Sequence, residues 1–392
     1  MVKVVFRKKR ILFVLTSFAT GGINRAFQNF LNKYDTSLYD IDVFVLSWQG
    51  VYSGQFANCT LLPSNKHLNL LFSRYDSQKG LNKVESAISK ALDKYTKGRY
   101  QQWLFTKSGK SLLRKVKYDA VVGFGEGAPK TFVSLMNHPN KIGWIHCDYA
   151  SYYEINHHKQ EREVFESLTS IVCVSNYTRE SFLQFYSDFS AKTYSIYNIL
   201  DDEMMRDQSR YPLEDYFDGK KFNIVSIGRL DPVKRLSVIP EIARRIIDLG
   251  CSICWYVIGP AGGTLDEHNR LFDNIRKYGV EGDVIPLGAK SNPYPYIANA
   301  DLLVNTSVSE ACPYVINEAK ILGTPVVCTN FGSAREFVDN GINGYYAPLD
   351  EMSALITNII KDDNILKTMR NNLGSFKYDN EHILNQIYSL FK

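Results

Sequence analysis

Short apolar, β-branched runs alternate with amphipathic stretches along most of the chain. In the first half, Arg10–Thr16, Ile41–Trp48, Ala120–Phe124, Lys141–His146, Ile171–Ser175 and Lys192–Asn198 predict strands. Asn24–Tyr34 and Tyr177–Tyr186 predict helices between them. Asn65–Lys117 interrupts the alternation as a long polar stretch with no such strand. Asp201–Lys220, charged and poor in aliphatic residues, predicts a linker. A second series follows at Phe222–Gly228, Ile253–Ile258, Val284–Leu287, Leu302–Asn305 and Val326–Cys328. Within it, Arg235–Leu249 predicts a helix with Leu236, Ile239, Ile242, Ile246 and Leu249 on one face. Strands alternating with helices imply parallel sheets covered on both sides. Two such units on one linker imply a cleft between them, and ligands of open α/β sheets sit beyond the carboxyl ends of the strands.

At 392 residues the chain exceeds one ordinary core, and 45% hydrophobic with 22% charged residues is globular composition. No run of about 18 apolar residues is present to span a bilayer. Seven scattered cysteines, an odd number, speak for a reducing compartment and against a disulfide framework. Arg7-Lys8-Lys9-Arg10 before Ile11–Ala19 has the outline of a signal peptide. The apolar core of that segment is short, so we read it as a first strand and expect a cytoplasmic protein. A net charge of +5 and no recognition motif exclude nucleic acid as the partner.

Candidate chemistry lies at strand ends. Thr20-Gly21-Gly22-Ile23-Asn24-Arg25 joins a strand to a helix, where glycines let the backbone approach a phosphate; a plain tight turn reads equally well. Arg229 at a strand end and Lys234 at the following helix start suit a diphosphate, or else form a solvated basic turn. In Ser309-Glu310-Ala311-Cys312-Pro313-Tyr314-Val315-Ile316-Asn317-Glu318, Pro313 suits the first turn of a helix. The amides of Tyr314 and Val315 would then be anion donors. Glu318 follows about 7.5 Å along the axis. Two carboxylates beside a phosphate cradle suit sugar hydroxyls. His157-His158 with Glu154 and Glu161 has helical spacing for a metal, but reads as a solvated polar helix.

These residues resemble a retaining glycosyltransferase of family 4 with the GT-B fold. The resemblance rests on Gly21-Gly22 with Arg25, Gly228-Arg229-Leu230 through Lys234-Arg235, Glu310-x7-Glu318, and Gly341-x-Asn343-Gly344. It implies an α/β protein of two Rossmann-like domains whose parallel sheets face a central cleft: 1–200 on the acceptor side with a basic insertion at 65–117, a linker at 201–220, and a nucleotide-sugar domain at 221–375. A C-terminal helix at 376–392 would pack back on the first domain. The donor, a UDP-linked hexose or N-acetylhexosamine, would be the substrate, with no cofactor and no metal. Arg229 and Lys234 would take the diphosphate, Glu318 the ribose, Glu310 the transferred sugar, and Gly22 would approach from the first domain. His146 would contact the donor sugar or the reaction centre. Asp148 would orient His146, touch acceptor or only start a loop. Tyr152-Tyr153 would line the acceptor side or simply pack. Ala311-Cys312 departs from the family's Gly-Phe or Ser-Phe pair, which leaves the shape of the sugar pocket open. The implied acceptor is a lipid-linked glycan of a surface polysaccharide such as a capsule. The alternatives are a silent subunit supporting a partner transferase, or another GT-B sugar-nucleotide enzyme.

From Lys66 to Lys117 the chain carries 13 Lys and Arg against three acids, while the remainder is net acidic. Leu68, Leu70, Leu71, Phe72, Trp103, Leu104 and Phe105 lie among these charges, a mixture that predicts peripheral attachment to an anionic membrane surface.

Overall fold

The structure, a computed structural model, describes residues 7–19, 21–50, 56–73, 80–156, 161–213, 217, 219–262 and 265–392. The chain forms two compact units, Met1–Leu200 with Asp379–Lys392, and Asp201–Tyr378. His157, His158 and Thr20 lie outside the described residues.

The first unit holds β1 (Lys9–Ser17), β2 (Tyr39–Ser47), β3 (Thr60–Leu61), β4 (Ala120–Phe124), β5 (Lys141–Ile145), β6 (Ser170–Cys173) and β7 (Thr193–Ser195). They make one parallel sheet ordered β3-β2-β1-β4-β5-β6-β7. The second unit holds β8 (Phe222–Ile227), β9 (Ile253–Ile258), β10 (Val284–Gly288), β11 (Leu302–Asn305), β12 (Val326–Thr329) and β13 (Gly344–Ala347), ordered β10-β9-β8-β11-β12-β13. Ile11–Leu15 of β1 are at most 1% exposed, because helices cover both faces of a parallel sheet. The growth of each sheet reverses between β1 and β4 and between β8 and β11. Such switch points open a crevice at the carboxyl ends. Gly344 is needed where β13 joins: a Cβ there would stand 2.2 Å from the Val326 carbonyl oxygen. The Gly341-x-Asn343-Gly344 pattern is thus a strand-edge turn, with Asn343 Nδ2 donating to Asp339 Oδ2 at 2.9 Å.

The described part of 65–117 holds no strand, as expected, and forms three helices, Lys66–Phe72, Leu81–Tyr95 and Arg99–Lys115. Other expectations are corrected. Leu68, Leu70, Leu71, Leu104 and Phe105 are buried, and Leu68, Leu71, Leu104 and Phe105 belong to the first unit's core, so they form no membrane anchor. The expected linker opens with the helix Asp202–Ser209, capped by the Asp201 side chain. Met205 is fully buried, and this helix packs on Tyr294–Asn299 and Tyr314–Leu322 of the second unit. The helix expected from Arg235 starts at Ile239, after one tight turn, because Arg235 takes φ 50°. Leu249 falls beyond its end, half exposed. At the C-terminus, Asn380–Leu390 docks on the first unit: the Asn380 side chain bonds the backbone of Leu200 and Tyr388 stacks on Tyr39.

Candidate functional site

In the second unit the loops after β8 and β11 meet at the switch point. Lys234 Nζ lies 2.5 Å from Glu310 Oε1, with the pair largely shielded from water. The same carboxylate oxygen accepts Ser307 Oγ at 2.7 Å and Asn305 Nδ2 at 3.4 Å, and Ser333 Oγ bonds the Glu310 carbonyl. Asp231 shapes the other loop: Oδ1 accepts the Lys234 amide at 3.0 Å and Oδ2 pairs with Arg229 at 3.0 Å. Arg229 itself is exposed. Thr306 Oγ1 bonds the carbonyls of Lys234 and Arg235, while Arg235 Nε donates to the Thr306 carbonyl, locking the loops together. Gly259 allows the β9 loop to close on them, since a Cβ there would meet the Gly228 carbonyl oxygen at 1.7 Å.

Pro313 stands one residue before the Tyr314–Leu322 helix, at the cap position rather than inside the first turn. The amides of Tyr314 and Val315 therefore head that helix, where its dipole favours an anion. Glu318 is 1% exposed on the same helix. The structure thus gathers Arg229, Lys234, Glu310, Pro313, Tyr314, Val315 and Glu318 into one region of the second unit. Sequence reading missed Asp231, Asn305, Thr306 and Ser307; the Asp-Pro turn and the polar run closing β11 were their signals.

The first unit presents a second group. Gly21 and Gly22 are exposed at the start of the Gly22–Lys33 helix, with open space where a Gly21 side chain would stand. Gly21 is extended, so backbone conformation does not demand glycine there. His146 follows β5; its amide donates to Glu126 Oε1, and its ring packs edge-on to Phe124 with centroids 4.6 Å apart. Its Nε2 is buried without a hydrogen-bond partner. Asp148 is held by its own neighbours. It caps the Tyr149–Ile155 helix and accepts Ser181 Oγ at 2.9 Å, Ser151 Oγ at 2.9 Å and Tyr177 OH at 3.3 Å. A cavity of about 610 Å³ opens beside Glu126, Thr131, Tyr152, Asn156 and Glu163. Tyr153 packs on Phe185 instead. Glu161, expected on a solvated helix, is buried 3.0 Å from Lys130 Nζ.

Burial lowers the His146 pKa from 6.5 to about 4, opposed by the nearby Glu126 carboxylate. The folded form is then neutral over a range in which the unfolded chain binds a proton. Stability is fully present above pH 6.5 and declines as pH falls toward 4, by up to about 1.4 kcal/mol per pH unit. His146→Gln should flatten that segment of the denaturation profile; equal pH slopes in variant and parent would contradict the assignment.

Residues 211–376, most of the second unit, match the family model for glycosyl transferases group 1. A Campylobacter jejuni enzyme named N-acetylgalactosamine-N,N'-diacetylbacillosaminyl-diphospho-undecaprenol 4-alpha-N-acetylgalactosaminyltransferase is 30% identical over 197 residues, covering 49% of this chain and 51% of that one. Sucrose synthase 2 of Hordeum vulgare is 29% identical over 156 residues, 36% of this chain and 19% of its own length. The chain therefore spans about half or less of these relatives. Among solved structures, Anabaena HepE in complex with UDP superposes with a TM-score of 0.70 at 19% identity, covering 97% of this chain and 98% of that one. S. aureus TarM gives 0.72 at 15% identity over 99% of each chain. At such identities the likeness is one of fold, and that fold is GT-B, two Rossmann-like units with parallel sheets.

Proposed function

We propose that this chain is a retaining, metal-independent glycosyltransferase of family 4, moving a hexose or N-acetylhexosamine from a UDP-sugar to a lipid-linked glycan acceptor. The carrying observation is the meeting of Lys234, Glu310 and the head of the Tyr314–Leu322 helix at the second unit's switch point, within the segment that matches the group 1 family model. An ammonium has three donors. One is directed at Glu310, and the others suit oxygens of a diphosphate. Glu318 would accept the ribose hydroxyls and Glu310 those of the transferred sugar. The UDP in Anabaena HepE supports the choice of base, and the diphospho-undecaprenol in the Campylobacter enzyme's name supports a lipid-linked acceptor. Acceptor would enter the first unit's cavity beside Thr131, Tyr152 and Asn156.

In the reaction the bond from the anomeric carbon to the diphosphate oxygen breaks with its electron pair leaving on the diphosphate. The acceptor hydroxyl attacks the same face, and its proton passes to the departing phosphate oxygen. Arg229, Lys234 and the helix head would stabilise the charge that develops there. Neutral His146 suits hydrogen bonding to a sugar rather than proton uptake.

The test is acceptor-dependent UDP release across a panel of UDP-sugars in EDTA, with product stereochemistry read by NMR. Retention and full activity in chelator are expected. An inverted product, or activity abolished by EDTA and restored by Mn²⁺, would overturn the reading.

A further inference from the structure

The Leu81–Tyr95 helix is turned inside out relative to an ordinary core-facing helix. Its buried side chains are Ser86 and Ser89, and Ser86 Oγ donates to the Leu70 carbonyl at 2.8 Å. Lys90 Nζ reaches the Ser73 carbonyl at 2.6 Å. Leu81, Val84, Ile88, Leu92 and Tyr95, three or four residues apart and so on one face, are between 41% and 87% exposed. Ala87 and Ala91, exposed beside them, extend the same face. Single exposed apolar residues need no explanation, whereas a continuous apolar stripe marks a surface that meets something.

Charge selects the occupant. At 100° per residue, Lys83, Lys90 and Lys94 form a row bordering the stripe. The helix's two acids are engaged locally: Glu85 pairs with Lys66 at 2.8 Å, and Asp93 accepts the Gln101 amide at 2.8 Å. Neighbouring Arg99–Lys115 exposes Trp103, with Lys107 over its ring, 5.0 Å from the centroid. A second copy of this chain would bring the same surplus of positive charge, which opposes self-association. No helix among the described residues is long and apolar enough to cross a membrane.

We infer that the outward face of the Leu81–Tyr95 helix is an interfacial contact that lies on an anionic lipid leaflet, its apolar stripe among the acyl chains and Lys83 and Lys94 toward the headgroup phosphates. The stripe, rather than the buried leucines of the adjoining helix, supplies the apolar half of the attachment. This inference rests on the proposed lipid-linked acceptor only for its biological sense; the surface stands on its own geometry.

The experiment is co-sedimentation of the full chain with phosphatidylcholine vesicles and with equimolar phosphatidylcholine–phosphatidylglycerol vesicles. The parent should bind the anionic vesicles, less so as salt is raised. Ile88→Gln with Leu92→Gln should weaken that binding on the order of tenfold or more, while UDP affinity and thermal midpoint stay parental, because both side chains are exposed. Lys83→Gln with Lys94→Gln should reduce the preference for anionic lipid. Equal binding of the apolar double variant and parent, equal binding to neutral and anionic vesicles, or no binding to either would overturn the inference. So would a dimer of the parent, without vesicles, that the double variant lacks. Failure of the parent to bind UDP would sink the transferase reading and leave this surface untouched.

Discussion

Lys234→Ala should lower turnover by ~10²–10³, the scale expected when one donor to a developing charge is lost. Lys234 Nζ is the group held against Glu310, and its backbone is fixed by Asp231 and Thr306, so the cation is positioned before any substrate arrives. The leaving diphosphate gains charge only as the bond breaks, so donor affinity should fall less than rate. Arg229→Ala should have a related but smaller effect, because this side chain is exposed and steered by Asp231 alone among the described ion pairs. Steady-state UDP release measures both. Near-parental turnover in Lys234→Ala would remove the residue from the phosphate site.

Glu161→Ala should destabilise the first unit by about 3–5 kcal/mol, the cost of stranding a buried charge. Lys130 is fully buried, its Nζ 3.0 Å from Glu161 Oε1 and 3.9 Å from the Phe165 ring centroid. Tyr149 and Tyr152 also direct their hydroxyls at the Glu161 carboxylate. For a unit of this size each kcal/mol moves the melting midpoint by about 2–4 °C. Lys130→Met combined with Glu161→Leu should recover much of the loss, since it removes both charges together. Calorimetry decides: a single variant with a parental midpoint would contradict the burial argument.

The alternation of apolar runs located eleven of the thirteen strands among the described residues because a parallel strand buried on both faces needs a continuous apolar run. The two it missed, β3 and β13, are edge strands: β3 has only two residues, and β13 depends on Gly344 approaching Val326. Helix starts were less legible. Arg235 adopts a left-handed backbone for which an arginine gives no sequence signal, and Met205 alone buries the helix that looked like linker. At 65–117 composition could not assign the apolar residues to a face. Periodicity shows that a helix has an apolar face but not whether that face turns inward, so Leu68 went to the core while Leu81, Val84 and Ile88 turned outward. At the candidate site, Lys234, Glu310 and Glu318 were legible from spacing, whereas Ser307, Asn305 and Asp231 matter only through contacts made after folding.

On the proposed function the second unit holds a nucleoside-diphosphate sugar through Glu318 and its surroundings. Calorimetric titration of UDP into the parent and into Glu318→Ala tests it most directly. Saturable one-site binding by the parent and a loss of about 1.5–3 kcal/mol in the variant are expected, as a charged acceptor is withdrawn from buried hydroxyls. No UDP binding by the parent, or equal affinity in the two proteins, would contradict it.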